Sequence, residues 1–475
     1  MMKLKQKLVY DLITRSSYAK STELIFVYGH GGTGKTFLWK AIITALRARG
    51  KIVLAVASSG IASLLFPSGQ TAHSRIKLPM VLTDELMCNV KKNTQMAKLL
   101  QKTDLIMWDE APMNNRRCFE ALDRSLRDIL DNNDVVFGGM SVILGGDFKQ
   151  TLPIKKKGRR KIYWMPPLLA HICGSPDEQD PENARWVKIP DEYCIPDNED
   201  GLANLISFIY PRESLQNPTA VELQQKAIAC PKNDAADAIN KTIVDMVDGP
   251  IKTYHSLDTA TPHGNDGCES ELLYPVKYLN TLNFPCLLPH ALELKIGVPA
   301  ILLRNVNVGG GLCNGTRMIV TQLLSKSVEC EIITGTRVGQ KVFLPRMGLV
   351  YKDSALPYIL KRQQLPIKLS YAMIINKSHG QSISKIGVYL SKPIFGHGQL
   401  YVALSRATSR DGLRLLIKEH ENQGPNMTNN IVYSDFLLTL CDFEIHLRIE
   451  QITPLAQLPS GDRNRGALHV LHGVG

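Results

Sequence analysis

Several things are missing from this sequence, and each absence removes a class of protein. Nowhere in its 475 positions is there an unbroken apolar run long enough to cross a bilayer, which takes about 20 residues of helix. The N-terminus, MMKLKQKLVYDLITRS, mixes charged and apolar residues where a secretory leader needs a continuous apolar stretch. The chain is therefore expected to be soluble and intracellular. Two readings of that N-terminus stand, a basic transit peptide or an amphipathic helix with Leu4, Leu8, Leu12 and Ile13 on one face, and the helix is the expectation. The ten cysteines never fall at CxxC spacing and no histidine joins them at metal-ligand intervals, so a zinc module gives way to reduced core thiols. Internal repeats are absent. Acidic residues are in deficit, 44 against 56 lysines and arginines, and the net charge of +12 favours a polyanionic partner.

Apolar residues are not lacking. At 44% of the chain they exclude wholesale disorder, and the length suits about three domains at roughly 100 to 200 residues each. ELIFVY (residues 23–28) is a strand candidate followed by GHGGTGKT and then by the helix-compatible FLWKAIITALRARG. A second apolar run over 52–57 completes a βαβ unit, so the fold class is α/β with parallel sheets. Further buried strands are expected at 105–108 and 141–144, their polar ends at the carboxyl edge where such sheets carry their sites.

Residues 1–165 thus form the expected first domain and 166–200 a linker, flanked by the basic run KKKGRRK and rich in acidic residues. A second α/β domain is expected over 201–300 and 366–420, interrupted at 301–365 by a small β-barrel-like insertion rich in Val, Ile, Thr, Gly and Pro. Residues 421–475 are expected to be a partly disordered extension.

Gly29 to Thr36 satisfy GxxxxGK[ST] between a strand and a helix, the context in which that pattern cradles phosphate. Gly29, Gly31, Gly32, Thr33 and Gly34 would let backbone N–H groups curl around phosphate oxygens, Lys35 would reach the β and γ phosphates, and the Thr36 hydroxyl would face Mg²⁺. LIMWDE supplies the matching half: Asp109 would hold Mg²⁺ and Glu110 would orient and deprotonate water. ATP and Mg²⁺ are the implied cofactors.

Taken in order, FVYGHGGTGKTFLW, ASSGIASLL, GQTAHS, IMWDEAPM, EALDRSLRDIL, FGGMSVILGGDFKQTLPI, GLCNGTRMIVTQLL, INKSHGQSI and GQLYVALSRATSRDGL resemble the petite-integration-frequency DNA helicases of superfamily one, especially the helitron-associated plant branch. The resemblance covers nearly the whole chain and implies two RecA-like P-loop domains with ATP between them. By it, Gln6 matches the glutamine that reads adenine, Gln150 the residue that senses the γ-phosphate, and Arg406 the arginine that reaches across from the second domain. Ser58, Ser59, Gly60, Thr71, His73 and Ser74 match the single-strand DNA groove of the first domain. Lys377, Ser378, His379 and Gly380 match the second domain's share, Gly380 being placed with the nucleotide-binding set as well. His379 stands where the family usually has Gln.

One departure is larger. After LPI the family continues through a strand ending in an Asn-Met-Arg triplet whose arginine also contacts the γ-phosphate, and that stretch is missing here. Arg159, Arg160 and Arg185 are the nearby substitutes. KKKGRRK itself is a DNA-contacting patch, a nuclear-import patch or a solvated loop. The resemblance implies an ATP-dependent helicase moving 5′ to 3′ on single-stranded or forked DNA, in repair, recombination, telomere maintenance or helitron transposition. The nucleus is the expected compartment and the mitochondrion the alternative. Two rivals stand beside it, a DNA-binding module with impaired hydrolysis and a P-loop ATPase acting on a non-nucleic partner.

Overall fold

The computed structural model describes residues 2–19, 23–29, 31, 33–79, 85–147, 149–150, 184–262, 274–282, 284, 287–335, 337–352, 356, 358–381, 383–419 and 424–431. The basic run 155–161, and with it Arg159 and Arg160, lies outside them, as do His30 and Gly32.

The first apolar runs become a parallel sheet of β1 (Leu24–Tyr28), β2 (Val53–Ala57), β3 (Gln70–Thr71), β4 (Leu105–Asp109) and β5 (Ser141–Gly146), in the order β1-β5-β4-β2-β3. Side chains along β4 alternate between two cores. Leu105 and Met107 join Ile25, Trp39 and Ile42 on one face, while Ile106 and Trp108 join Leu54, Leu122 and Leu126 on the other. Burial on both faces is why these strands read as continuous apolar runs. The first face is covered by α1 (Leu4–Ala19) and α2 (Lys35–Ala48).

Helix α1 forms as expected, but its buried stripe is rotated from the one the leucines suggest. Leu4 and Leu8 are 76% and 56% exposed, whereas Val9 and Ile13 are fully buried, with Ser16 and Ser17 beside them. The stripe follows i, i+4, i+7 spacing from Val9, and Gln6, one turn earlier, turns the same way to reach the loop after β1. Helix packing chose this face over the more apolar one.

The second parallel sheet does not begin where the composition changes. Strand β6 (Ala184–Lys188) precedes β7 (Cys194–Ile195), which already belongs to that sheet, followed by β8 (Lys226–Cys230). The expected linker over 166–200 is therefore corrected from residue 184 onward: its acidic character is that of ordered connections, with Asp197 bonded to Lys418 at 2.5 Å.

The chain then leaves the sheet earlier than expected. Strands β9 (Lys252–His255), β10 (Leu257–Pro262), β11 (Ala291–Leu294), β12 (Pro299–Leu302), β13 (Arg317–Leu323), β14 (Ser327–Ile332), β15 (Lys341–Pro345), β16 (Met347–Tyr351), β17 (Tyr358–Gln364) and β18 (Ile367–Leu369) all pair antiparallel. They form a curved five-stranded sheet, β15-β14-β13-β12-β18, with two smaller sheets, β10-β17-β16 and β11-β9. Residues 252–300, assigned by sequence to the second α/β domain, thus lie in the insertion. The alternating β9 and β11 patterns mark half-buried antiparallel strands rather than buried parallel ones.

Strands β19 (Ala372–Ile374), β20 (Lys385–Leu390) and β21 (Leu413–Ile417) restore the parallel sheet in the order β19-β8-β20-β21-β7. Two buried cations fix the insertion. Arg317 donates to the carbonyls of Leu223 and Lys226 at 3.1 and 2.9 Å, and Arg362 grips Asp258 with both charges fully buried. Finally β22 (Met427–Ile431) pairs with β6, so part of the expected disordered extension is an ordered strand.

Candidate nucleotide site and the cleft between the sheets

Backbone geometry builds the phosphate loop first. The Gly29 N–H donates to the Gly146 carbonyl at 3.2 Å, carrying the β1–β5 ladder one residue into the loop. Gly34 caps α2 with φ +84°, a left-handed conformation that favours glycine. A Cβ there would also lie 2.7 Å from the Gln6 amide nitrogen. Lys35 donates to the Gly29 carbonyl, and Thr36 is half-buried in the first turn of α2. Gln6 spans two backbones, accepting from Lys3 N–H at 3.0 Å and donating to the Thr33 carbonyl at 2.9 Å. The residue expected to read adenine is thereby tied to the phosphate loop itself.

At the end of β4 two adjacent carboxylates are buried. Trp39 Nε1 donates to Asp109 Oδ1 at 3.1 Å, yet burial still raises the Asp109 pKa, Lys35 pulling it back only in part. Glu110 is pushed up to about 7 by burial, then by the Asp109 charge. Its backbone is left-handed at φ +51°, uncommon for a residue with a side chain. Ser58 holds it there: its hydroxyl donates to the Glu110 carbonyl at 2.5 Å and accepts from Trp108 Nε1 at 3.1 Å and from Asn114. One donor and two acceptors exhaust a hydroxyl, so Ser58, expected in the DNA groove, is committed to the carboxylate turn.

Helices α3 (Gly60–Leu64), α4 (Ala72–Arg75) and α5 (Arg116–Ile129) belong to the first unit, and α6 (Asn233–Met246) precedes helix α7 in the second, across the cleft. Helix α7 itself spans Gln399–Leu404. Arg406 follows it, 6% exposed, with Nε on the Val402 carbonyl, Nη1 on that of Gln381 and Nη2 on the Ser405 hydroxyl. Burial lowers its pKa and the Glu110 charge opposes that shift. A Cβ built on Gly31 would lie 3.4 Å from Arg406 Nη2, so the second unit's guanidinium sits at the phosphate loop of the first.

Gln150 is buried, its amide 3.5 Å from Asp147 Oδ2. Its Oε1 and Glu110 Oε2 are buried acceptors with no hydrogen-bond partner among the described residues. Such atoms call for a donor. No group of three or more His, Cys, Asp or Glu side chains among the described residues could hold a metal alone. Mg²⁺ needs no such cage, taking one or two carboxylates plus phosphates and water, and Thr36 with Asp109 fit that donor set.

Three residues were missed by sequence reasoning, Trp39, Asp147 and Tyr401. All lie inside the quoted motifs, and the signal that could have found them is a hydrogen-bonding side chain at the end of an apolar run. Tyr401 donates to Asp147 Oδ2 at 2.7 Å.

The groove residues divide. Ser59 and Thr71 cap α3 and α4, accepting from Ala62 and Ser74 N–H at 3.2 and 3.3 Å. His73 is half-buried, its pKa lowered by burial, and Ser74 is exposed. Helix α3 meets the second unit and the insertion: a Cβ on Gly60 would lie 2.9 Å from Cys313 Cβ, and one on Gly380 would lie 3.9 Å from Ile61. Lys377 donates to Asn314 Oδ1 at 2.8 Å. Ser378 bonds the Ile375 carbonyl, and His379 bonds the Asn376 carbonyl through Nδ1, burial pushing the His379 pKa down to about 4. Lys377, Gly380 and the α3 segment therefore converge on one seam.

Residues 1–168 match the family described as PIF1-like helicase and residues 277–323 match the 2B domain of DNA helicase Pif1. The ATP-dependent DNA helicase PIF1 of Xenopus laevis is 26% identical over 421 residues, covering 85% of this chain and 61% of that protein. Its Campylobacter jejuni namesake is 25% identical over 427 residues, covering 84% of this chain and 90% of that protein. The chain spans about 60% of the length of the first curated relatives it matches. Among solved structures, Bacteroides Pif1 bound to single-stranded DNA superposes with a TM-score of 0.58 at 21% identity, and Candida albicans Pif1 with 0.55 at 21%. Each covers 88% of this chain and 95% of the other. These two show the shared fold. The family matches over residues 1–168 and 277–323 and the curated relatives together make this chain similar to the PIF1-like helicases.

Proposed function

We propose that the chain is a Mg²⁺-ATP-dependent DNA translocase and helicase. The observation that carries this is the meeting of Lys35, Asp109 and Glu110 from one parallel sheet with Arg406 from the other at Gly31. A nucleotide at that meeting point would be contacted by both units, so its arrival and cleavage would change how they sit together. Bound ATP would supply a phosphoanhydride whose hydrolysis resets the cleft. Lys35 would direct its ammonium to the phosphates, Thr36 and Asp109 would hold Mg²⁺, and Glu110 would take the proton of water at its buried carboxylate. Arg406 would present a planar cation to the charge that spreads over the transferred phosphoryl. The seam of Gly60, Lys377 and Gly380 is the assigned single-strand track, and the net charge of +12 suits a phosphate backbone.

Movement 5′ to 3′, the helitron-associated branch, the nuclear setting and roles in repair, recombination or telomere maintenance rest on the motif resemblance. A reading with impaired hydrolysis is favoured by the sequence: between the Ile154 and Val187 regions there is no counterpart of the family stretch that ends in an Asn-Met-Arg triplet. The deciding experiment is ATP turnover by the purified chain with and without oligo-dT. Stimulation supports the helicase reading; turnover that ignores DNA points to an ATPase with another partner; nucleotide and DNA binding without turnover points to the impaired module.

A further inference from the structure

We propose that Tyr401 is a positioning residue that lets the second unit register phosphate in the loop of the first. The proposal rests on the nucleotide-site reading above. Tyr401 belongs to α7, in the second unit, and its ring packs against that unit's own core. Its hydroxyl leaves that core and crosses the cleft. It donates to Asp147 Oδ2 at 2.7 Å and accepts from the Gly31 N–H at 3.4 Å. Burial and the Asp147 charge raise its pKa, so the phenol keeps its proton and the direction of both bonds is set.

Gly31 lies within the phosphate loop, whose backbone N–H groups are the donors that phosphate oxygens take. An amide has one proton. A phosphate oxygen on Gly31 therefore displaces the Tyr401 hydroxyl and leaves it on Asp147 alone. Both ends of this choice are connected onward. Asp147 accepts from the Lys149 N–H at 3.0 Å and its carbonyl accepts from the Gln150 N–H at 3.2 Å, so it shapes the turn that carries Gln150. On the other side Ser405 N–H bonds the Tyr401 carbonyl at 2.8 Å, and Arg406 Nε bonds the next carbonyl, Val402, at 3.2 Å. A shift at Tyr401 is thus passed over one helical turn to the guanidinium beside Gly31.

The test uses the full chain and Tyr401→Phe, which keeps the packed ring and deletes only the hydroxyl. Nucleotide affinity is measured with a fluorescent ATP analogue, and ATP turnover with oligo-dT is measured alongside. With its competitor for the Gly31 N–H removed, Tyr401→Phe should bind the analogue about 2- to 10-fold more tightly, the factor one ordinary hydrogen bond sets. A residue with a merely structural role would, when damaged, weaken binding. Equal or weaker affinity in Tyr401→Phe, at an unchanged melting temperature, overturns the proposal. The affinity comparison needs no hydrolysis, so absence of turnover in the wild-type chain would refute the ATPase reading while this inference is still decided by binding.

Discussion

Trp39 Nε1 lies 3.1 Å from Asp109 Oδ1, so the helix that follows the phosphate loop also aims the carboxylate that ends β4. The pair is fully enclosed, Trp39 at 0% exposure and Asp109 at 4%, and it joins the two halves of the proposed nucleotide site through the sheet. Trp39→Phe keeps most of the apolar volume and removes the donor. Leaving the buried acceptor one bond short should cost about 1–3 kcal/mol, read as a lower midpoint in urea, and ATP turnover should fall with it. An unchanged midpoint would show that the Asp109 carboxylate finds another donor.

Glu110 gives a pH signature. Its pKa stands near 7 in the fold against an ordinary 4.5, burial being the first cause and Asp109 the second. Between those values the folded chain holds a proton that the unfolded chain has released. Stability from this group is therefore greatest below about 4.5, declines as pH rises toward 7 and is flat above. Glu110→Gln cannot lose a proton, so it should remove that decline and be more stable than the wild type at pH 8. With Glu110 as the proposed base, turnover should run the opposite way in the wild type, falling about tenfold per unit below pH 7 as the base protonates, and it should be lost in Glu110→Gln while nucleotide binding remains.

Much of the site was legible because its chemistry is local. Strand, glycine loop and helix fall within 24–48, and the Asp109–Glu110 pair ends an apolar run, so contiguous residues carry the signal. What was not legible depends on long-range packing. The α1 face followed the contact of Gln6 with Thr33, 27 residues away. Ser58 looked like a polar groove residue because its three partners, at 108, 110 and 114, are brought to it by the β2–β4 pairing. The insertion began early because half-buried antiparallel strands such as β9 show too little apolar content to stand apart from a helical domain's connections.

Arg406→Ala should separate binding from chemistry. The side chain is anchored by three partners within its own unit and meets the first unit at Gly31, where the Glu110 charge also acts on it. Removing it should leave nucleotide affinity within a few-fold of wild type and lower turnover by about 10³ to 10⁵, the range known for arginines that cross to a transferred phosphoryl. A loss below tenfold would remove Arg406 from the transition state.

The last prediction separates two residues that sequence placed in the same groove. Lys377 sits at the seam beside α3, its ammonium donating to Asn314 Oδ1, and burial together with Lys368 lowers its pKa. A cation facing a crowded, positive neighbourhood gains from an incoming phosphate. If it neutralises one phosphate of a single strand, Lys377→Ala should flatten the slope of log affinity against log salt by about 0.7 and leave the fold stable. Ser58→Ala should do the reverse. Its hydroxyl is spent on Glu110, Trp108 and Asn114, so the salt slope should stay at the wild-type value. Meanwhile the left-handed Glu110 turn loses its clamp, two buried donors lose their acceptor, and stability should drop by about 1–3 kcal/mol with turnover falling in parallel. Salt titrations of oligo-dT binding and urea melts on both variants check this; a changed slope in Ser58→Ala at wild-type stability would return Ser58 to the DNA groove.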